Sequence, residues 1–247
     1  MDNSLLAVRD INHKYIVVGR SLGTIMSNPI KSLTKKEWGV WIGSLLIIVI
    51  SNISSGSFDL LTLVAACIGV TSLIFAAKGN VWSQILMSVF SILYGIISFQ
   101  FRYWGEMITY LGMTMPMAIW STITWIRNPS ESGKEVAIQR LTKKHIILLV
   151  VSGVIVTAVF YKILAVFSTP NIVFSTISVT TSFFAASLTM LRSSYYAVGY
   201  AANDVVLIVL WILASIKEPR YLSVTVIFVI FLFFDLYGFI SWKKREK

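Results

Sequence analysis

The chain has 247 residues, of which 56% are apolar and only 13% charged, with a mean hydropathy of +0.78. A soluble domain of that composition would lack the polar groups to cover its surface, so an aqueous globular fold is excluded. The net charge of +10 does not signal nucleic acid, because the lysines and arginines fall between apolar runs and not along one face.

Residues 1–37 read as a basic, cytoplasmic amino-terminal segment without the apolar core or cleavage site of a secretory signal. Apolar runs of spanning length then predict eight helices: Trp38 to Ile53, Phe58 to Ala77, Val81 to Phe101, Trp104 to Ile126, His145 to Phe167, Asn171 to Leu191, Ser194 to Ile216 and Tyr221 to Trp242. Short polar turns separate most of them, for example Lys78-Gly79-Asn80 and Thr169-Pro170. The long connection, 127–144, is expected to be a solvated cytoplasmic loop, and 243–247 a cytoplasmic tail. When successive loops alternate sides, 17 of the basic residues fall on one side and only Arg102, Lys162, Lys217 and Arg220 on the other. That asymmetry places both termini in the cytoplasm. Trp38, Trp82, Trp104, Trp125 and Trp242 lie near predicted helix ends, where indole rings suit the headgroup region.

Two stretches repeat. TSLIFAAK at Thr71 to Lys78 matches TTSFFAAS at Thr180 to Ser187, 109 residues on, and PMAIWSTITW at Pro116 to Trp125 matches FFDLYGFISW at Phe233 to Trp242, 117 on. The fold class is therefore an all-α membrane protein of eight transmembrane helices. Two parallel three-helix bundles over 58–126 and 170–242 are joined by a linker helix at 145–167, with an additional helix at 38–55.

Polar side chains within spans are costly and need a reason. In the seventh helix Tyr196, Tyr200, Asp204 and Trp211 share a face, with Asn203 on its flank. In the fourth, Tyr103, Glu106, Tyr110, Met113, Met117 and Trp120 form a stripe, and Pro116 is expected to kink the helix beside it. Such a stripe serves packing as readily as ligand lining; where it lines a site, it offers rings for stacking, a carboxylate and soft thioethers. Asp235, Gln84 and Tyr94 are further polar positions within spans. No HExxH, GxSxG, Walker or potassium-filter motif is present, and Cys67, His13 and His145 are too scattered to ligate a metal, so neither enzyme activity nor a cofactor is expected.

FAAKGN (Phe75 to Asn80), ILYGIISFQFRYWGEMITYLGM (Ile92 to Met113), YAANDVVLIVLW (Tyr200 to Trp211) and FFDLYGFISW together resemble the PnuC family of bacterial vitamin transporters over roughly Phe58 to Lys244. The resemblance implies two parallel bundles similar to those of the SWEET sugar carriers, a homotrimer in the bacterial inner membrane, and one substrate site per protomer. It also implies facilitated diffusion of nicotinamide riboside by alternating access, with a cytoplasmic kinase trapping the product and feeding NAD biosynthesis. It carries substrate contacts onto Tyr103, Glu106, Tyr110, Trp120, Asn203, Asp204 and Trp211, and Tyr200 joins them from its helical face. Sister branches carry thiamine, riboflavin or deoxynucleosides with similar side chains, and a membrane receptor that binds without transporting is the alternative from another class.

Overall fold

The computed structural model describes residues 28–54 and 58–246. Most of the expected basic amino-terminal segment, residues 1–27, lies outside them. The described chain is helical: α1 (Lys35–Ser54), α2 (Leu60–Ala77), α3 (Trp82–Gln100), α4a (Trp104–Thr109), α4b (Met115–Arg127), α5 (Lys143–Val166), α6 (Ile172–Met190), α7 (Tyr196–Lys217) and α8 (Leu222–Arg245). Seven of these are long and apolar enough to span a membrane. The eighth expected span, Trp104 to Ile126, is present but divided, because Tyr110–Thr114 forms a π-helical segment between α4a and α4b.

Local chemistry sets the helix starts. The α1 helix begins three residues before Trp38, because Thr34 and Glu37 form a reciprocal cap: the Thr34 N–H donates to Glu37 Oε2 at 2.6 Å and the Glu37 N–H to Thr34 Oγ1 at 3.3 Å. Asp59 Oδ1 accepts the N–H groups of Leu61 and Thr62 at the start of α2, and Thr142 with His145 boxes the start of α5. Gly79 closes the turn after α2 at φ +69°, a conformation that favours glycine, and a Cβ there would lie 2.5 Å from the Arg245 guanidinium.

Around the core the helices pack in the order α2, α3, α4, α6, α7, α8 and back to α2, a closed ring of six in which each consecutive triplet stays together. The α5 helix packs on α6 outside the ring, and α1 packs on α2 and α8. Both triplets run in the same sense, because one connection touches the ends of both: the Val136 N–H donates to Gly79 O at 2.9 Å and the Gln139 N–H to Arg192 O at 3.0 Å. This connection, expected to be solvated, buries Val136 and is held by an Arg245–Glu135 ion pair of 2.7 Å. Burial there pulls the Arg192 guanidinium below its ordinary pKa.

The two triplets exchange equivalent bonds. Trp125 Nε1 at the end of α4b donates to Thr189 O of α6 at 3.0 Å, while Trp242 Nε1 at the end of α8 donates to Ala76 O of α2 at 2.8 Å. The indoles meet 5.5 Å apart and are fully buried, so these two tryptophans are keystones of the ring and not headgroup anchors. The bonds also fix the repeat's register. Gly79 and Arg192 hold the same left-handed turn position, and the Asn80 N–H to Phe75 O bond recurs as Ser193 N–H to Leu188 O, a spacing of 113 residues. The letter match at 109 is thus four residues, about one helical turn, out of register; the match at 117 agrees with the structure.

Candidate functional site

The ring encloses an aromatic box and, against it, a polar cluster. Tyr94 of α3 forms the middle of the box. Its ring centroid lies 4.4 Å from Tyr110 and 5.5 Å from Phe90, and its hydroxyl accepts Trp211 Nε1 at 2.8 Å. Trp211 in turn meets Tyr103 edge-on at 5.1 Å. Phe90 stacks on Tyr94 while Tyr110 and Tyr103 meet their partners edge-to-face, both arrangements that ring quadrupoles favour, and together they form an aromatic wall on the core side of α3, α4 and α7.

Asn203 anchors the polar cluster. Its Oδ1 accepts Ser178 Oγ at 3.2 Å, Thr181 Oγ1 at 2.9 Å and Ser182 Oγ at 3.0 Å. Three hydroxyls of α6 thereby lock one amide of α7, and α6 can approach so closely because Gly199 sits against the Ala185 backbone, where a Cβ would come to 2.8 Å. Glu106 of α4a stands beside the Ser178 hydroxyl, which bonds Asn203, and both carboxylate oxygens of Glu106 are buried with no donor in hydrogen-bond geometry. Asp204 and Asp235 face each other across α7 and α8 within hydrogen-bonding reach, each 3% exposed. Asp204 Oδ2 has no further partner, and Tyr110 and Tyr200 lie close enough to feel both aspartate and ring neighbours.

Of the eight expected site residues, Tyr103, Glu106, Tyr110, Asn203, Asp204 and Trp211 are buried and gathered here. Tyr200 is half-buried at the edge, near Asp204 and Asp235. Trp120 is not in the site: it is 61% exposed on the outside of the ring. The cause is the π-helical segment. Pro116 has no N–H to give the Gly112 carbonyl, and the Met115 N–H reaches back five residues to Tyr110 O. One extra residue in the turn rotates everything after it by about 100°, so Thr114, Ala118, Ser121 and Trp125 face inward where Met113, Met117, Trp120 and Thr124 would continue a regular stripe. Met113 itself, inside the segment, stays buried.

The sequence reading missed the hydroxyl comb of α6. Its signal was available as Ser175, Ser178, Ser182 and Thr189, all buried and spaced by three, four and seven.

These features define a multi-pass membrane protein whose two like-oriented helix triplets close around a site of aromatic rings, an amide and carboxyl groups. Residues 59–244 match the family described as nicotinamide mononucleotide transporter, and the chain belongs to that family. It is a transporter and not an enzyme, as the resemblance to PnuC implied. A nicotinamide riboside transporter PnuC of Neisseria mucosa is 26% identical over 190 residues, covering 74% of this chain and 72% of that protein. A crystal structure of the vitamin B3 transporter PnuC superposes with a TM-score of 0.75 at 24% identity, covering 86% of this chain and 92% of the other, which shows a shared fold.

Proposed function

We propose that this protein carries nicotinamide riboside across the bacterial inner membrane by alternating access, without ATP. The observation that carries the reading is Glu106: a buried carboxylate with no donor of its own, flanked by Tyr94, Tyr103 and Tyr110 and one hydroxyl away from Asn203. Nicotinamide riboside brings a cationic flat ring, a carboxamide and ribose hydroxyls. The rings of the box attract the cation, Asn203 and the α6 hydroxyls suit the carboxamide, and Glu106 accepts from hydroxyls or balances the charge. The same chemistry favours the riboside over its phosphate ester. Glu106, Asp204 and Asp235 line the cluster, whereas the lysines and arginines of the described spans sit at helix ends and turns, so a phosphate dianion would meet three carboxyl groups and no cation.

In this reading both termini are cytoplasmic, which the asymmetry of basic residues supports, and protomers assemble as the homotrimer the family resemblance implies. A cytoplasmic kinase that phosphorylates the product would trap it inside. Proteoliposomes containing no nucleotide test the reading: nicotinamide riboside is expected to equilibrate across the membrane while thiamine, riboflavin and deoxynucleosides do not. Equilibration of thiamine instead would move the protein to a sister branch, and saturable binding without flux would make it a receptor.

A further inference from the structure

At the end of the ring opposite Lys35 and Arg245, a cavity of about 350 Å³ opens between the start of α2, the end of α3 and the start of α8. That volume lies within the roughly 300–1,000 Å³ of small-molecule pockets. Its walls include Asp59, Gln100, Phe101, Tyr221 and Ser223. The rings of Phe101 and Tyr221 are 4.5 Å apart, and both rest on Trp211, at 5.4 and 6.0 Å. The floor of this cavity is therefore the roof of the aromatic box described above.

We propose that this vestibule is a second binding site, an encounter site for a flat aromatic cation on its way to the central one; the proposal rests on the transport reading above. Three features support it. Asp59 contributes a carboxylate whose Oδ1 accepts two backbone N–H groups and whose Oδ2 accepts Thr62 Oγ1 at 2.6 Å, so its position is fixed at the cavity wall. Phe101 and Tyr221 supply aromatic rings to the cavity wall, where a cation can meet them. Gln100, at the end of α3, adds to the wall a side-chain amide that can bond hydroxyls or a carboxamide. A ligand held here has one layer of rings, Phe101 with Tyr221, between it and Trp211, so the two rings act as a lid on the central site. Because the vestibule lies on the path, it sets how fast the ligand arrives and leaves, not how tightly the central site holds it.

Stopped-flow measurement of nicotinamide riboside binding by the purified full-length protein, followed by tryptophan fluorescence, tests this beside equilibrium titration. Asp59→Asn keeps an efficient N-cap while removing the charge. The expected result is an association rate lowered about fivefold at low salt, with dissociation slowed to match, Kd unchanged, and the salt dependence of association reduced. Tyr221→Leu opens the lid and is expected to change both rates together, again at constant Kd. Wild-type association rates in both variants, or a changed Kd without a changed association rate, would overturn the vestibule. Absence of any riboside binding to the wild-type protein would instead overturn the transport reading itself.

Discussion

The two triplets of the ring share a backbone plan, yet they satisfy their polar groups unequally. In α6, α7 and α8, Asn203 Oδ1 already holds three hydroxyls and Asp204 faces Asp235, leaving Asp204 Oδ2 and Thr225 Oγ1 as the unpartnered buried side-chain atoms of these three helices away from Arg245. In α2, α3 and α4, Glu106 has no donor, the hydroxyls of Thr109 and Thr114 have no partner, and the helix bearing all three is interrupted by a π-helical segment. A satisfied group fixes geometry before a ligand arrives. An unsatisfied one gains most when a ligand supplies its missing bond, because its desolvation has already been incurred. The second triplet is thus the template and the first the responsive half. The π-helical segment interrupts the regular helical bonding of that half directly beside Glu106 and Thr109.

The contrast can be broken from either side, and among single substitutions the largest effect is expected on the template side. Asn203→Ala removes the acceptor shared by Ser178, Thr181 and Ser182. Thr181 Oγ1 also reaches Ile177 O at 2.9 Å, so part of the loss is absorbed along α6. We expect a loss of about 1–2 kcal/mol in stability, read as a lower Tm, together with at least about tenfold weaker riboside binding by titration. Glu106→Gln tests the responsive side. The amide is close in volume and leaves no uncompensated charge, so Tm is expected to hold or rise while affinity for the cationic riboside falls about tenfold. If both variants lowered Tm and affinity equally, the division into template and responsive halves would fail. A smaller effect follows from Pro116→Ala, which returns an N–H to the Gly112 carbonyl and favours regular helix through the segment. Transport in proteoliposomes should slow about threefold with Kd little changed.

How much of this could be read from the letters varies along the chain. The spans and the special positions on α7 follow from runs of apolar residues and from the cost of Asn203 and Asp204 in a membrane. These are local properties, and they survive folding. The pairing of Asp204 with Asp235 and the hydroxyl comb on Asn203 depend on which helix faces which, and serine and threonine are too common in spans to stand out before that is known. The burial of Trp125 and Trp242 hid for a related reason. A tryptophan at a helix end suits the headgroup region, and only the carbonyls of Thr189 and Ala76 across the ring make these two indoles interior.

Trp120 is where a local rule failed, and it gives the smallest expected effect. A regular helix carries the stripe from Tyr103 through Tyr110 to Trp120, but the count assumes 3.6 residues per turn throughout. Pro116 signals a defect and not its kind: a kink would have bent the stripe, whereas the π-helical segment shifts its phase by one residue and puts Ala118 and Ser121 in the core. Trp120→Ala should therefore leave riboside Kd within about 1.5-fold of wild type, since nothing in the site is lost. Deleting Gly112, which restores the 3.6 phase, is expected to swing Trp120 inward and Ser121 out and to abolish binding. If instead Trp120→Ala weakened binding as Glu106→Gln does, the segment would have to relax to regular helix when ligand binds, and the interruption in α4 would be a feature of the empty carrier alone.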